Sequence, residues 1–299
     1  MSLGFVWNAE ENRILESSVK WLETDVRTDS TYTYENVTSK NPEAAALLRS
    51  ITSVLDPTEN SSDPHTWIAA LMKYYNLAAG ALLKQIGVGI LRRHSAPDLE
   101  RLAKYATYGV GQLAQSSAEY CLASETDTLH SGLGAAAYCH ATSPLRRYAD
   151  LMNQRILKQL IRGQPEGLMV TVFCSDLNNR MKIARGYERD ITFLRCLLGA
   201  EGTREFSALI LDASVLAEEA LLTLRIWIPE WRRAIKMTST LVSKIENIYT
   251  ILSADETTAF KVAEGQELRI RCGLNLGGRR WKDRMVIQPL SSSAPRTPE

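Results

Sequence analysis

The chain has no CxxC pair, no apolar run of membrane length and no surplus of either charge, and each absence removes a class of protein. Its five cysteines, Cys121, Cys139, Cys174, Cys196 and Cys272, are scattered and odd in number. That argues against a disulfide framework and against a cysteine zinc site. Thirty-five basic residues balance thirty-four acidic ones, for a net charge of +1, so any polyanion site must be local rather than a property of the global field. No stretch approaches the ~20 apolar residues of a membrane span, and the N-terminus lacks a basic region followed by an apolar core. The expectation is a soluble intracellular protein, cytoplasmic or organellar, with no membrane partner. A Gly-rich phosphate loop is also missing, since Gly87 and Gly89 follow a helical pattern and are too sparse. Cys139 beside His140 reads as a buried cysteine next to a structural histidine rather than a nucleophile or ligand, because adjacency along the chain rarely supplies the needed geometry.

What is present is 45% hydrophobic content over 299 residues, enough for a real core and for two domains. Residues 5–37 read as short extended segments ending in the polar TDSTYTYENV. From 42 to about 163 the pattern is helical, with helices expected over 44–55, 66–83, 97–105, around Ala118 and over 144–160. A further helix is expected over 175–198, with Leu177, Met181, Ala184, Ile191 and Leu198 on one face. Glu188 and Arg195 share that stripe. A carboxylate there is paired, functional or at the stripe's solvated edge, since burying it alone is costly, and Arg185 one turn back is a local partner.

After 199–202 the character changes. SALILDA, LLTLRIWIP, ELRIRCGL and RMVIQPL alternate or run apolar, the size and strand content of an OB-type barrel. Trp227, Trp231, Arg233, Arg271, Arg280 and Trp281 belong to a set of interleaved aromatic and basic residues there, suited to stacking bases and tracking a phosphate backbone, although solvated strands give the same composition.

The segment YCHATSPLRRYADL, 138–151, carries the most information. Ser143 has an N-cap side chain and Pro144 the φ of a first helical position, so the spacing predicts a helix starting there and running through Gln159. Arg146 and Arg147 then fall in the electropositive first turn, where cations are unfavourable unless an anion sits nearby. Either a phosphate resolves the conflict, or both arginines are solvated and Asp150 is their intrahelical partner.

This segment closely resembles the signature of the RNB family, the ribonuclease II and exosome-nuclease type of processive 3′ to 5′ exoribonuclease. The order of neighbouring elements agrees: YYNLAAGALLKQIGVGILRRHSAP at 74–97, SGLG at 131–134 and GYERD at 186–190. The resemblance implies an α+β fold. Residues 1–200 would be the mainly helical C-terminal part of an RNB domain with a short N-terminal sheet fragment, 201–290 an OB-like RNA-binding barrel, and 291–299 a disordered tail. It implies that Arg146 contacts phosphate, that Glu188 stands near the reactive end of the RNA, and that Tyr34 packs on the 3′-terminal nucleotide, the alternative for Tyr34 being a half-buried strand-end tyrosine. Arg147 either joins Arg146 at the RNA or, with Tyr148 and Asp150, orients the helix. Arg271, Arg280 and Trp281 are the expected RNA contacts of the barrel.

One departure matters. The family hydrolyses phosphodiesters with magnesium held by an aspartate cluster of the form Asp-x-x-x-x-x-Asp-x-Asp-Asp, and this sequence has none. Magnesium is therefore the cofactor the resemblance implies, but no magnesium site is expected in this chain alone. Two functions follow as expectations. The chain acts on single-stranded RNA once a second polypeptide supplies the aspartates, or it is an inactive RNA-binding or assembly module. A purely structural use of the motif is the weakest reading, since packing needs neither arginine.

Overall fold

The structure, a computed structural model, describes the chain apart from residues 59–61, 165–172, 200–201, 217–219, 254–255, 276, 279–283 and 293–299. It divides into two compact units, Met1–Leu99 with Leu113–Arg180 and Glu100–Gln112 with Met181–Glu299. Among the described residues no helix is long and apolar enough to cross a membrane.

In the first unit, β1 (Ser2–Asn8) and β2 (Arg13–Leu22) form an antiparallel hairpin. Helices α1 (Val37–Lys40), α2 (Pro42–Leu55) and α3 (Pro64–Ile86) follow. Their ends are written in the sequence. Asn41 accepts the Ala44 N–H and Asp63 the His65 N–H, each just before a proline at the first helical position. Gly87, at φ +69°, closes α3 in the left-handed conformation that glycine adopts without strain.

Strand β3 (Ile90–Arg93) pairs antiparallel with β4 (Glu119–Leu122). The helix expected around Ala118 is therefore absent, and that residue leads into β4. Pairing with β3 decides the matter, and Asn178 adds to it by bonding both the N–H and the carbonyl of Tyr120, at 2.7 and 2.9 Å. Helix α5 spans Tyr148–Ile161, and the first residues of α6 (Cys174–Leu198) complete the unit. Its core is built from small side chains, Ala79, Ala137, Cys139 and Ala141, around Leu83, Leu91, Ile156 and Leu157.

The second unit is built on seven antiparallel strands in the order β11-β10-β5-β6-β7-β8-β9. These are β5 (Thr203–Leu216), β6 (Leu221–Ile228), β7 (Arg233–Ile245), β8 (Ile248–Leu252), β9 (Ala259–Ala263), β10 (Glu267–Leu274) and β11 (Met285–Ser292). The hydroxyl of Ser292 on β11 donates to the Lys261 carbonyl on β9 at 2.6 Å, so the sheet comes close to closing into an OB-like barrel. Leu222, Leu224, Ile226 and Ile228 alternate into its core with no exposure, each fully buried side chain contributing about 1.5–3 kcal/mol.

Helix α4 (Leu99–Thr107) belongs to this unit. Its Tyr105 hydroxyl donates to the Asp212 carboxylate, and Lys104 lies 2.9 Å from Asp212 and 2.7 Å from Glu264. These two carboxylates hold the Lys104 ammonium above its ordinary range against the opposing effect of burial.

The C-terminal part of α6 packs here too, on a different face from the expected one. Asp190, Phe193 and Leu197 are buried, whereas Ala184 is exposed and Leu198 is 64% exposed. Phe193 meets Trp231 edge-on at 4.1 Å and Asp190 pairs with Arg233, so contacts with the barrel set the buried face. Packing thus groups Met181 onward with Glu100–Gln112 in the second unit.

Candidate nucleic-acid interface

The extended segment 138–143 is held from several sides by amide side chains. Asn76 of α3 accepts the Ala141 N–H at 3.0 Å and donates to the Tyr138 hydroxyl at 3.1 Å. Asn153 of α5 accepts the Ile90 N–H at 2.9 Å and donates to the carbonyls of Ile90 at 2.8 Å and His140 at 2.9 Å. Gln154 donates to the Ala141 carbonyl at 2.6 Å, and the Arg92 N–H donates to the Tyr138 carbonyl at 2.7 Å. Asn76 and Asn153 are buried, and buried amides persist because every group finds a partner. The sequence reading missed Asn153 and Gln154 as braces. A signal exists: Asp150 and Asn153 lie in the same helical phase as Leu157, spaced by three and four, so polar groups occupy a core stripe.

The expected helix start is four residues early. Ser143 to Arg147 form a separate turn, with the N–H groups of Arg146 and Arg147 donating to the Ser143 carbonyl at 3.2 and 3.1 Å. Arg147 is the N-cap of α5 in an extended conformation, so neither arginine lies in the helical first turn. Asp150 explains the shift. Its fully buried carboxylate reaches back past the helix end, and Oδ1 accepts the Ser143 N–H at 2.7 Å and an Arg147 guanidinium N–H at 2.8 Å. The anion at this helix end is Asp150 itself.

The two arginines therefore differ. Arg147, half-buried at the N-cap, is committed to Asp150 three residues on. Arg146 is exposed at the apex of the turn beside the fully exposed Leu145 and has no partner among the described residues.

The other expected site residues lie on several elements of the two units. Tyr34 is 42% exposed and stacks on the His65 ring, centroids 3.8 Å apart and planes 23° from parallel. With Tyr32, Leu48, Trp67 and Ile68 it lines a groove of about 510 Å³. Glu188 is exposed on α6 in the second unit.

On the barrel, Arg271 and Arg269 both contact Glu205, at 3.0 and 2.8 Å, and Arg204 contacts Glu230 at 2.5 Å. Trp231 packs against Phe193 and Phe206, and Trp227 is buried. The interleaved aromatics expected to stack on bases are thus partly spent on the core, and several cations are compensated locally. Arg280 and Trp281 lie outside the described residues.

Burial pushes the Cys139 thiol well above its ordinary range and the Cys121 thiol up to about 11, so neither is a thiolate near neutrality. His140 instead faces the Tyr120 hydroxyl at 3.0 Å. Among the described residues no group of three or more carboxylate, imidazole or thiol side chains is placed to hold a metal ion. The donor set present does not fit a hard cation.

Residues 24–163 match the family model of the RNB domain. The chain is 30% identical over 213 residues to ribonuclease R of Helicobacter pylori, covering 58% of this chain and 31% of that protein. It is 34% identical over 140 residues to exoribonuclease 2 of Serratia proteamaculans, covering 46% of this chain and 21% of the relative. The chain thus spans less than a third of the length of these two curated relatives. Among solved structures, Mycoplasma genitalium RNase R in complex with ribose-methylated single-stranded RNA aligns with a TM-score of 0.46 at 16% identity, over 78% of this chain and 42% of that one.

Proposed function

Because residues 24–163 match the family model of the RNB domain, we propose that this protein is a ribonuclease II/R-like protein acting on single-stranded RNA, and that Arg146 grips a backbone phosphate near the 3′ end. One observation carries the assignment. The turn at Ser143–Arg147 is braced on both sides, yet it displays one guanidinium with no partner among the described residues while committing its neighbour to Asp150. A planar guanidinium grips two phosphate oxygens at once.

The aromatic groove at Tyr34 is of a size to take a base, with the Tyr34 ring already backed by His65. Glu188 is the carboxylate proposed near the reactive end. The OB-like barrel is the second RNA-binding element.

Magnesium supplies the activated water in this family, and relatives of this type release nucleoside 5′-monophosphates. The carboxylates for such an ion do not stand together among the described residues. In this reading hydrolysis uses an aspartate cluster supplied from outside these 299 residues, as by a complementing polypeptide. The part of this chain is to hold the RNA and, through Arg146, to stabilise charge that develops on the scissile phosphate. The same donor set favours a second reading, an RNA-binding or assembly module that does not cut.

The test is magnesium-dependent degradation of a 3′-tailed single-stranded RNA by this chain, alone and with a polypeptide carrying the aspartate cluster. The expected result is degradation only in the mixture, abolished by Arg146→Ala. Binding without degradation in both arms supports the module. Degradation by the chain alone overturns the need for a partner, and equal affinity for duplex RNA overturns the single-strand reading.

A further inference from the structure

We propose that Asp150 is a positioning residue for Arg146, setting the place of the phosphate-gripping guanidinium rather than only capping α5; this rests on the reading of Arg146 as a phosphate contact. A helix that needs an anion at its N-terminus is served by an exposed acid, whose carboxylate meets the first-turn N–H groups. Asp150 does something else. It is fully buried, and both partners of Oδ1 lie before the helix begins.

Those partners are the two feet of one turn. The Ser143 N–H stands at its start and the Arg147 side chain at its end, and backbone bonds from Arg146 and Arg147 to the Ser143 carbonyl close it. One carboxylate oxygen thus ties down both ends of the loop whose apex is Leu145 and Arg146. Upstream, Asn76 and Gln154 hold Ala141 through its N–H and its carbonyl, so the approach to the turn is fixed and Asp150 fixes the turn itself. Burying a carboxylate is costly unless it is paired and hydrogen-bonded, and here the bonds that offset the cost are the ones that place the turn. Preorganisation of this kind raises affinity by removing the entropy of ordering the loop on binding.

The experiment is a double-mutant cycle on binding of a short fluorescent single-stranded RNA to the full chain at one fixed salt concentration, with circular dichroism and thermal melting of each variant. Arg146→Ala alone weakens binding about tenfold, the value of one charge-assisted contact. In an Asp150→Asn background the same substitution weakens it by less than about twofold, because the guanidinium is no longer held where the phosphate passes. A role confined to helix stability leaves the Arg146→Ala effect at its full size in both backgrounds, and that result overturns the proposal.

Should Asp150→Asn fail to fold, the cycle is run with Arg147→Lys, which keeps a cation beside Asp150 but loses the reach of the planar fork. The Arg146→Ala effect is then expected to shrink, and an unchanged effect overturns the proposal equally. If Arg146→Ala costs nothing in the parent chain, the phosphate reading itself fails. If it costs tenfold in every background, only the positioning role fails.

Discussion

A Cβ added to Gly80 would stand 2.9 Å from the Tyr138 Cα and 3.1 Å from the Cys139 nitrogen. Helix α3 therefore touches the backbone of the motif segment with nothing between, and Asn76 one turn earlier bonds Tyr138 and Ala141 across the same contact. Gly80→Ala forces backbone apart from backbone. The expected cost is about 1–3 kcal/mol of stability, read from urea denaturation. Unchanged stability would show that α3 can shift away without penalty.

The two adjacent arginines should separate in different assays. Arg146→Ala should lower the slope of log affinity for single-stranded RNA against log salt by about 0.7, the release expected for one phosphate contact, with the melting temperature unchanged. Arg147→Ala should lower the slope only through the displaced Arg146 turn and, unlike Arg146→Ala, should also lower the melting temperature, because it leaves the fully buried Asp150 carboxylate without its cation, a loss of about 3 kcal/mol or more. Equal salt slopes for the parent and Arg146→Ala would remove that arginine from the phosphate path.

Asn153 joins β3, the motif segment and α5 through three hydrogen bonds. Asn153→Ala removes the side-chain partner of the buried Ile90 N–H and carbonyl and of the part-buried His140 carbonyl, and an unsatisfied buried group costs roughly 1–3 kcal/mol. Stability should fall by at least about 2 kcal/mol in chemical denaturation. A loss no larger than that of a surface substitution would mean that the backbone finds other partners.

His130 should make stability depend on pH. Burial, chiefly, and the nearby His94 and Arg92 hold its imidazole below the ordinary histidine range, and its Nδ1 is buried with no hydrogen-bond partner among the described residues. A group whose folded pKa is depressed contributes stability that is fully present above its unfolded value, near 6.5, and that is lost as pH falls through the folded value. Melting temperature should therefore drop on acidification from neutrality into the range below that value, and His130→Gln should flatten that part of the profile. An identical profile in the variant would place the titration elsewhere.

Much of the architecture is legible in the sequence, and the reason is local. Asn41 with Pro42, Asp63 with Pro64, and Gly87 mark the ends of α2 and α3 through contacts spanning a few residues. The alternation in LLTLRIWI announces β6 in the same way. The misread places have non-local causes. Residues near Ala118 become strand because β3 lies beside them. The face of α6 turns to bury Asp190, Phe193 and Leu197 because Arg233 and Trp231 wait on the barrel. The expected base-stacking tryptophans are drawn partly inward, since the barrel core takes aromatic area wherever it is offered.

For the site, sequence alone determines the anomaly and its kinship. Two arginines after a Ser-Pro pair, ahead of an aspartate, form a pattern specific enough to carry the resemblance to the RNB family, while the charge conflict expected from helix electrostatics rests on a helix start that the structure moves to Tyr148. Only the tertiary structure decides which arginine is committed and which is presented. Asp150 lies three residues from Arg147 but seven from Ser143, and Asn76 lies 65 residues from the Ala141 it holds. A buried carboxylate takes whatever donors the fold brings to it, and here the fold brings the Ser143 N–H and Arg147, leaving Arg146 in solvent.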